Sequence, residues 1–371
     1  MQGSMKAARL HRLGEAVHVD EVPIPDIGPG EVLVRVLRAG LNRGDLHMRS
    51  RQIRVHPGEE SQHLPVLPMT LGHDGLGEVA EAAPDVRNVK AGDRVIVKCT
   101  LTCGFCKYCR SEREHLCLNH RVMGFVTLAS HDIFMRYKDG LWAEYCRVPA
   151  TNLEKLEPGD DIDRFSLLSQ MAVGFRALKR ARLETGETVI VNAATGITGL
   201  GVVLSAMAMG AAHIIAIARD ATRLASLKKI APQRISTISA ATESIKARVA
   251  ELTKGNGANV LVDVTPGGIQ TTVDCLYSLE RGGRVALVGN NPEMLEIPYL
   301  YLMLRSIEFT SCHGRNYRDV HHLVELCRHG ILDVSPIRPK FFGLEQVNEA
   351  LDWIEKREGG DLPVWPMMRA D

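Results

Sequence analysis

The sequence of 371 residues lacks three features that would place it in a specialised class of protein. It has no run of about 18 or more apolar residues, so it offers no candidate transmembrane helix. Its net charge is only +1, because 45 Lys and Arg residues balance 44 Asp and Glu residues. That balance gives no electrostatic reason to expect binding to nucleic acid or to an acidic membrane surface. The nine cysteines are too few per residue for a disulfide scaffold. Without an apolar signal-peptide core near the N-terminus, we expect a cytoplasmic location.

The composition is that of a globular protein, with 45% hydrophobic and 24% charged residues. At about 150 residues per domain, the length predicts two domains or one large one. Residues up to about 151 are rich in glycine and in short strand patterns, which are expected at 31–39, 75–81 and 93–98. From about Phe165, strand patterns at 188–192, 214–218, 259–264, 284–288 and 307–310 alternate with helical patterns at 222–230, 243–253 and 270–279. This alternation predicts an α/β domain with a parallel sheet covered by helices on both faces.

A glycine-rich turn follows the first strand of the alternating part. The strand Val189-Ile190-Val191 leads to Ala194-x-Gly196-x-x-Gly199 and then to a helix of small and apolar residues. Small residues allow a tight turn and let backbone N–H groups approach a pyrophosphate, which the helix N-terminus then holds. Because the motif sits between a strand and a helix, we predict a dinucleotide site; the alternative is a glycine-rich turn without a ligand.

The end of the second strand carries arginines where a carboxylate would be expected in an NAD site. The ribose position falls at Ala218, with Arg219 next to it and Arg223 one helical turn later. A guanidinium group suits a 2′-phosphate, so the sequence favours NADP(H) over NAD(H). Two alternatives stay open, because the arginines are also compatible with a plain surface and Asp220 with a helix N-cap.

Four cysteines are grouped in a C-x2-C-x2-C-x7-C pattern, formed by Cys103, Cys106, Cys109 and Cys117. Four thiolates so close together predict a closed, tetrahedral structural zinc site, which leaves no open position for catalysis. Disulfides fit the close spacing and the expected compartment less well. An iron–sulfur cluster is compatible with the spacing, but the sequence offers neither a fourth ligand elsewhere nor a redox context for it. The remaining cysteines are scattered and are interpreted as small buried apolar residues: Cys99, Cys146, Cys275, Cys312 and Cys327.

Taken together, these features resemble the medium-chain dehydrogenase/reductase superfamily, which contains the zinc-type alcohol dehydrogenases and the related quinone and enoyl reductases. The stretches that carry the resemblance are 5–8, 40–47, 71–79, 89–95, 142–145, the cysteine cluster and the glycine turn. The resemblance implies a GroES-like catalytic domain at 1–168 with a structural-zinc lobe at about 99–120, a Rossmann domain at 169–312, and a return to the catalytic domain at 313–371. It also implies a small-molecule substrate, an active site between the domains, and a homodimer or homotetramer.

The sequence departs from the zinc-type members at the positions of the catalytic metal. Asn42 stands where the first cysteine ligand is usual, and the third ligand position falls near Ser169 or Gln170. His73 is kept, but Asp74 follows it in place of the usual glutamate. Gly44 replaces the hydroxyl residue of the proton relay, while His47 keeps the position of the relay histidine. We therefore expect no catalytic zinc, because one ligand of three survives.

The resulting hypothesis is an NADP(H)-dependent reductase of an activated C=C or carbonyl group, such as an enone, a quinone or an enoyl thioester. Asn42 and His73 are expected to line the cleft near the nicotinamide, with His47 as a second candidate for supplying a proton. By family analogy, Gly289 and Asn290 pass close to the nicotinamide. Asn42 could instead be a turn residue, and His73 a histidine satisfied within the fold. Two other functions stay open: a zinc-type alcohol dehydrogenase with an altered metal site, and a non-catalytic dinucleotide-binding protein. The loop from 49 to 68, with Arg51 and Arg54, is interpreted as a solvated loop, or as a contact to an anionic substrate.

Overall fold

The computed structural model describes residues 2–49, 66–125, 132–356 and 364–369. The part of the 49–68 loop that contains Arg51 and Arg54 lies outside these ranges. Within them, no helix is both long enough and apolar enough to cross a membrane.

The N-terminal part is built from antiparallel strands. Its strands are β1 Ser4–Leu10, β2 His18–Pro23, β3 Glu31–Gly40, β4 Met69–Thr70, β5 Gly75–Ala82, β6 Arg94–Val97, β7 Thr100–Leu101, β8 Arg121–Val122, β9 Tyr145–Pro149 and β10 Leu153–Lys155. The short helix α1 Arg43–Arg49 follows β3. β3 is the central strand, because it pairs with both β5 and β9. Its Val/Leu-rich sequence is buried along nearly its whole length, as a strand covered on both faces requires.

Residues 162–311 form the second part, in which strands and helices alternate. The helices are α2 Ile162–Phe165, α3 Leu168–Arg180, α4 Ile197–Ala208, α5 Ala221–Ile230, α6 Ile245–Leu252, α7 Ile269–Leu276 and α8 Tyr299–Arg305. The strands are β11 Thr188–Asn192, β12 His213–Ala218, β13 Ile235–Ser239, β14 Ala258–Asp263, β15 Leu279–Leu287 and β16 Glu308–Ser311. These strands form one parallel sheet in the order β13-β12-β11-β14-β15-β16. The predicted fold class is therefore confirmed.

The sheet is covered on both faces, and alternate residues of one strand show it. On β11, Val189 and Val191 belong to one apolar cluster and Ile190 to another. Successive side chains of a strand point to opposite faces, so two separate cores flank the sheet. The strand order reverses beside β11, between the crossovers to β12 and to β14. Ligands of such sheets bind at the carboxyl ends of the strands at this switch point.

The C-terminal residues return to the first part of the chain. Helix α9 Tyr317–Arg328 packs against α3, and β17 Arg338–Gly343, α10 Val347–Lys356 and β18 Val364–Arg369 follow it. β18 pairs with β3 in antiparallel orientation and with β17 in parallel orientation. The C-terminal strands thus extend the sheet of β3, and residues of both segments share one apolar core.

Candidate active site

A cleft of about 1360 Å³ lies between the antiparallel part and the carboxyl ends of the parallel sheet. Its walls include residues of α1 on one side and the turn after β11 on the other. With one exception, Ala194, every residue predicted from the sequence to be catalytic or cofactor-binding lines this cleft. The fold therefore brings together groups that are separated by up to about 250 positions in the chain.

The glycine turn forms the base of the cleft. Gly196 is the N-cap of α4, and a Cβ atom on Gly199 would lie 2.3 Å from the carbonyl oxygen of Ala193. Only glycine allows this close approach, which directs the N-terminus of α4 into the cleft, where its dipole attracts an anion. Ala193 faces the cleft with a positive φ of 63°. Ala194 packs inward, fully buried, and its N–H donates to the carbonyl of Ile217 over 3.0 Å.

Three residues at the end of β12 and the start of α5 line the cleft, namely Ala218, Arg219 and Arg223. The Asp220 carboxylate accepts a hydrogen bond from the Arg223 backbone N–H over 3.1 Å, so Asp220 is the N-cap of α5. Asp220 also lies 3.5 Å from the Arg223 Nε atom.

Arg43, on α1, faces this corner from the opposite side of the cleft. Burial lowers the pKa of its guanidinium, and the positive charge of Arg219 lowers it further. Two cations that repel each other across a cleft favour an anionic ligand between them. Arg43 was not predicted as a site residue from the sequence, because no local pattern shows that α1 meets the end of β12.

Gly289 and Asn290 line the cleft after the end of β15. A Cβ atom on Gly289 would lie 2.2 Å from the backbone oxygen of Thr265. Glycine is therefore required here for the approach of two backbone segments of the protein itself.

Asn42 and His73 line the cleft and form a connected group with Asp45. The Asn42 side-chain oxygen accepts from the Gly44 N–H over 2.7 Å, so its Nδ2 group is the one that meets His73 Nε2, at 3.0 Å. His73 Nδ1 lies 3.1 Å from an oxygen of Asp45, which is fully buried. The other Asp45 oxygen accepts from the Asn42 N–H over 2.8 Å. In the neutral form of His73, these contacts place the proton on Nδ1 and make Nε2 the acceptor.

The carboxylate of Asp74 lies near Nε2 of the His73 ring. One of its oxygens, Oδ1, is held by Arg315 Nη2 at 2.7 Å and by the Ser169 hydroxyl at 2.9 Å. The other, Oδ2, is 3.6 Å from His73 Nε2 and has no hydrogen-bond partner among the described residues. The buried side-chain oxygen Oε1 of Gln170 also has none there.

These carboxylates determine the protonation of His73. Burial acts to lower the pKa of the imidazole, but the charge of Asp45, its hydrogen bond and the charge of Asp74 outweigh burial. The pKa is therefore raised above its usual value of 6.5. In the protonated ring, Nε2–H has an acceptor within reach in Asp74 Oδ2, whereas in the neutral ring Nε2 accepts from Asn42.

Gly44 leaves no space for a hydroxyl side chain. A Cβ atom there would lie 2.8 Å from the Asn42 side-chain oxygen and 2.9 Å from the ring of Phe125. The Phe125 ring also packs on His73, with 4.4 Å between the ring centroids. His47 lines the same cleft, one helical turn further along α1.

The four clustered cysteines meet in a separate lobe. The Sγ atoms of Cys103, Cys106, Cys109 and Cys117 all lie within 4.8 Å of one another. Four thiols at this separation fit a tetrahedral zinc ion. In the described part of the chain, this is the one group of three or more His, Cys, Asp or Glu residues that could hold a metal.

Two residues at positions where the resemblance implied catalytic-zinc ligands point no ligand atom at His73. Asn42 directs its NH₂ group, a hydrogen-bond donor, at His73 Nε2. Ser169 uses its hydroxyl on Asp74. A catalytic zinc is usually held by three nitrogen, sulfur or carboxylate ligands, and neither Asn42 nor Ser169 supplies one.

Comparison with known proteins identifies the class of the fold. Residues 28–158 match the family described as alcohol dehydrogenase GroES-like domain, and residues 198–329 match the family described as zinc-binding dehydrogenase. Together the two matches cover well over half of the chain.

Individual relatives align with this chain over nearly its full length. The chain is 28% identical to an L-threonine 3-dehydrogenase of Chromobacterium violaceum, over 93% of this chain and 95% of that protein. It is 29% identical to a sorbitol dehydrogenase of Bacillus subtilis, over 94% and 93%. The crystal structure of an alcohol dehydrogenase from Aeropyrum pernix superposes with a TM-score of 0.83 and 27% identity, covering 98% of this chain and 100% of that one.

The fold and the cleft thus define an oxidoreductase with a Rossmann-type cofactor domain. The chain belongs to the medium-chain dehydrogenase/reductase superfamily, as the sequence resemblance predicted. The family match and the cysteine cluster support a structural zinc, a nicotinamide dinucleotide and a small-molecule substrate.

Proposed function

We propose that the protein is an NADP(H)-dependent reductase of an activated C=C bond, such as that of an enone, a quinone or an enoyl thioester, and that it works without a catalytic zinc. The observation that carries the proposal is the contact between Asn42 Nδ2 and His73 Nε2. In this contact Nε2 of His73 meets a hydrogen-bond donor at the position where a metal would bind. The same atom can accept and release a proton. NADPH, when bound, would supply a hydride to the β-carbon of the substrate. Side chains of the protein would stabilise the carbonyl oxygen and deliver the proton.

His73 is the proton donor in this proposal. Protonated on Nε2, it gives that proton to the α-carbon of the enolate and becomes neutral. Asn42 Nδ2–H then donates to the freed Nε2, which stabilises the ring after transfer. Asp45 holds Nδ1–H throughout and keeps the tautomer fixed. A conjugated substrate needs no Lewis acid for this step, because the developing charge spreads to its carbonyl oxygen, where hydrogen-bond donors stabilise it.

The test combines turnover with metal content. Purified protein is assayed by NADPH oxidation against enones, quinones, an enoyl thioester and ketones, and zinc is counted per chain by plasma mass spectrometry. We expect turnover of a conjugated substrate with one zinc per chain. Two zinc ions per chain, with activity toward alcohols or ketones that a chelator abolishes, would contradict the proposal. NADPH binding without any turnover would instead favour the non-catalytic alternative.

One observation favours a second candidate, an alcohol dehydrogenase with an altered metal site. The unpartnered oxygens of Asp74 and Gln170 are buried and belong to residues that line the cleft beside His73. Oxygen donors suit harder cations than zinc, such as Mg²⁺ or Mn²⁺. Alcohol oxidation that depends on added Mn²⁺ would support this candidate.

We propose that the cofactor is NADP(H) and not NAD(H). Arg219 and Arg43 face each other across the cleft, and Arg223 stands beside them. We propose that the 2′-phosphate binds between these guanidinium groups. Carboxylates stand near two of them, since Asp220 lies 3.5 Å from Arg223 Nε and the charge of Glu355 acts on Arg43.

Replacing Arg219 by serine is expected to raise the KM for NADPH by about 10- to 100-fold, because a charge-assisted hydrogen bond contributes roughly 1.5–3 kcal/mol. The KM for NADH should change little. Arg223→Ser is the matched comparison, with a smaller effect expected because Asp220 already pairs with Arg223. Equal losses with NADPH and NADH would contradict a 2′-phosphate contact.

We also propose that the chain forms a homodimer through the outer edge of the parallel sheet. β16 is the last strand of that sheet among the described residues, and α8 beside it has no buried residue. Tyr299, Leu300 and Leu304 are 80%, 59% and 61% exposed. An open strand edge next to a large apolar patch favours pairing with a second copy.

Replacing Leu304 by lysine is therefore expected to shift the protein toward a monomer in light scattering after size exclusion. Ile331→Lys is the control, since Ile331 is 55% exposed but lies after α9, outside this patch. An unchanged oligomer in Leu304→Lys would contradict the assigned interface, and a tetramer that falls to dimers would support it.

A further inference from the structure

A second cavity, of about 300 Å³, lies apart from the cleft, between α3, the start of α9 and the lobe that carries the four clustered cysteines. Among the described residues, none lines both cavities. Arg176, Lys179 and Arg180 of α3 line the second cavity, and Arg318 of α9 adds a fourth basic side chain. Positions three and four apart share one face of a helix, so α3 presents its three cations to the same space. The proposed reaction uses none of these residues.

The carboxylates that line this cavity compensate only half of its positive charge. Asp319 Oδ1 lies 2.8 Å from Lys179 Nζ, and Asp319 Oδ2 lies 3.4 Å from Arg176 Nη1, so one carboxylate serves two cations. Glu112, from the cysteine lobe, pairs with Arg318. Four cations against two carboxylates leave two positive charges in excess.

Two of the guanidinium groups show where this excess is located. Arg176 is only 7% exposed, and its Nε atom is buried with no hydrogen-bond partner among the described residues. Its Nη2 group meets a histidine ring instead of a carboxylate, at 2.9 Å from His115 Nε2. Arg180 forms no ion pair in the described part of the chain, and it donates to the hydroxyl group of Thr310 over 2.7 Å. Burying a guanidinium is costly unless an anion and further hydrogen bonds compensate it, so this cavity favours an anionic ligand.

The size and charge of the cavity fit a phosphate group. Guanidinium groups bind phosphate oxygens through pairs of parallel hydrogen bonds. A phosphate monoester carries about 1.5 to 2 negative charges at pH 7, which matches the two positive charges in excess. The volume equals that of about ten water molecules, which leaves room for a small organic group on the phosphate.

We propose that this cavity is a second anion site, in which Arg176, Arg180 and Arg318 bind the phosphate group of a small ligand. The bound anion offsets the repulsion between cations that α3 and α9 bring together, and so it stabilises their junction with the cysteine lobe. The inference goes beyond the proposed function and does not depend on it, since the site shares no described residue with the cleft.

The test measures the binding of radiolabelled inorganic phosphate by equilibrium dialysis at constant ionic strength. NADP⁺ and NAD⁺ are both present in excess, so that the cofactor cleft is filled whichever of them the protein uses. We expect one phosphate per chain at saturation. Because a ligand of the native state stabilises it by mass action, the Tm should also rise with phosphate concentration.

Arg180→Gln should raise the Kd for phosphate by about 10- to 100-fold, the loss of one charge-assisted hydrogen bond. Arg180 is exposed, so the variant should keep the Tm of the wild type when phosphate is absent. Arg182→Gln is the matched control, because it removes the same charge two positions away, where Arg182 pairs with Glu308 outside the cavity. Its Kd should equal that of the wild type.

The absence of saturable phosphate binding in the wild type would overturn the inference. So would equal Kd values in Arg180→Gln and Arg182→Gln, because the phosphate would then bind elsewhere. Competition with glycerol phosphate distinguishes the source of the group. Displacement that Arg180→Gln weakens would assign a phosphate ester, and a lack of displacement would assign free phosphate.

Discussion

Replacing His73 by glutamine is expected to lower kcat for enone reduction by about 10²- to 10³-fold, the usual contribution of a positioned general acid. Glutamine can keep polar contacts with Asn42 and Asp45, but it has no proton to transfer. The affinity for NADPH should be unchanged, since the proposed 2′-phosphate site is formed by Arg219, Arg223 and Arg43 and not by His73. Steady-state kinetics and a fluorescence titration with NADPH measure the two quantities separately.

His47→Gln is the matched comparison, because His47 lines the same cleft and was the second candidate for supplying the proton. We expect a much smaller loss of kcat for His47→Gln than for His73→Gln. A large loss in His47→Gln together with a small one in His73→Gln would contradict the role assigned to His73.

The pH dependence of kcat/KM provides an independent test of the same role. The acid form of His73 is the donor, so activity should be present at low pH and fall as pH rises through a pKa above 6.5. Asp45 raises this pKa by its charge and its hydrogen bond. In Asp45→Asn, the fall should therefore move to lower pH. Profiles with the same midpoint in both proteins would exclude His73 as the titrating donor.

The second large effect is expected from the cysteine lobe. Replacing Cys109 by serine should reduce zinc from one ion per chain to nearly none, because the four thiols form one closed donor set. The lobe also docks on the start of α9, where His115 contacts Asn316 at 2.9 Å and Asn316 donates to the Glu112 carbonyl over 2.8 Å. Zinc in small structural sites contributes about 10 kcal/mol or more, so we expect a loss of stability on the order of 5 kcal/mol. Zinc analysis and thermal unfolding measure both changes.

Cys327→Ser is the control for this substitution, since Cys327 is a free cysteine outside the cluster. It should keep one zinc ion per chain and a Tm close to that of the wild type. A Cys109→Ser protein with full zinc content and normal Tm would contradict a structural zinc in the lobe.

Much of the fold could be predicted from the sequence because its signals are local. The apolar runs at 188–192 and 284–288 and the small residues from Ala193 to Gly199 mark strands and a turn without reference to distant parts of the chain. The strand Ile235–Ser239 was not predicted, since Ser236, Thr237 and Ser239 interrupt its apolar pattern. It forms one edge of the sheet, where pairing with β12 stabilises it nonetheless.

The site was only partly predictable, and the reason is distance along the chain. Asn42 and His73 could be named from their motifs, but Arg43 could not, and neither could the contact of Arg315 with Asp74. Arg315 and Asp74 are 241 positions apart, and Arg43 and Arg219, whose charges interact, are 176 positions apart. No periodicity or spacing encodes such pairs, because they depend on how two domains close over a shared cleft.

The sequence by itself determined the two-part architecture, the superfamily, the four-cysteine cluster and the missing cysteine at Asn42. These follow from residue types at short, fixed spacings, which local backbone geometry and metal coordination restrict. Only the tertiary structure decided what Asn42 does in place of a ligand: its oxygen is tied to Gly44, so its amide group faces His73. It also decided that Asp45 and Asp74 raise the pKa of a buried imidazole. Hydrogen-bond direction and electrostatic fields depend on three-dimensional distances, which are set only when the segments that carry these residues have folded together.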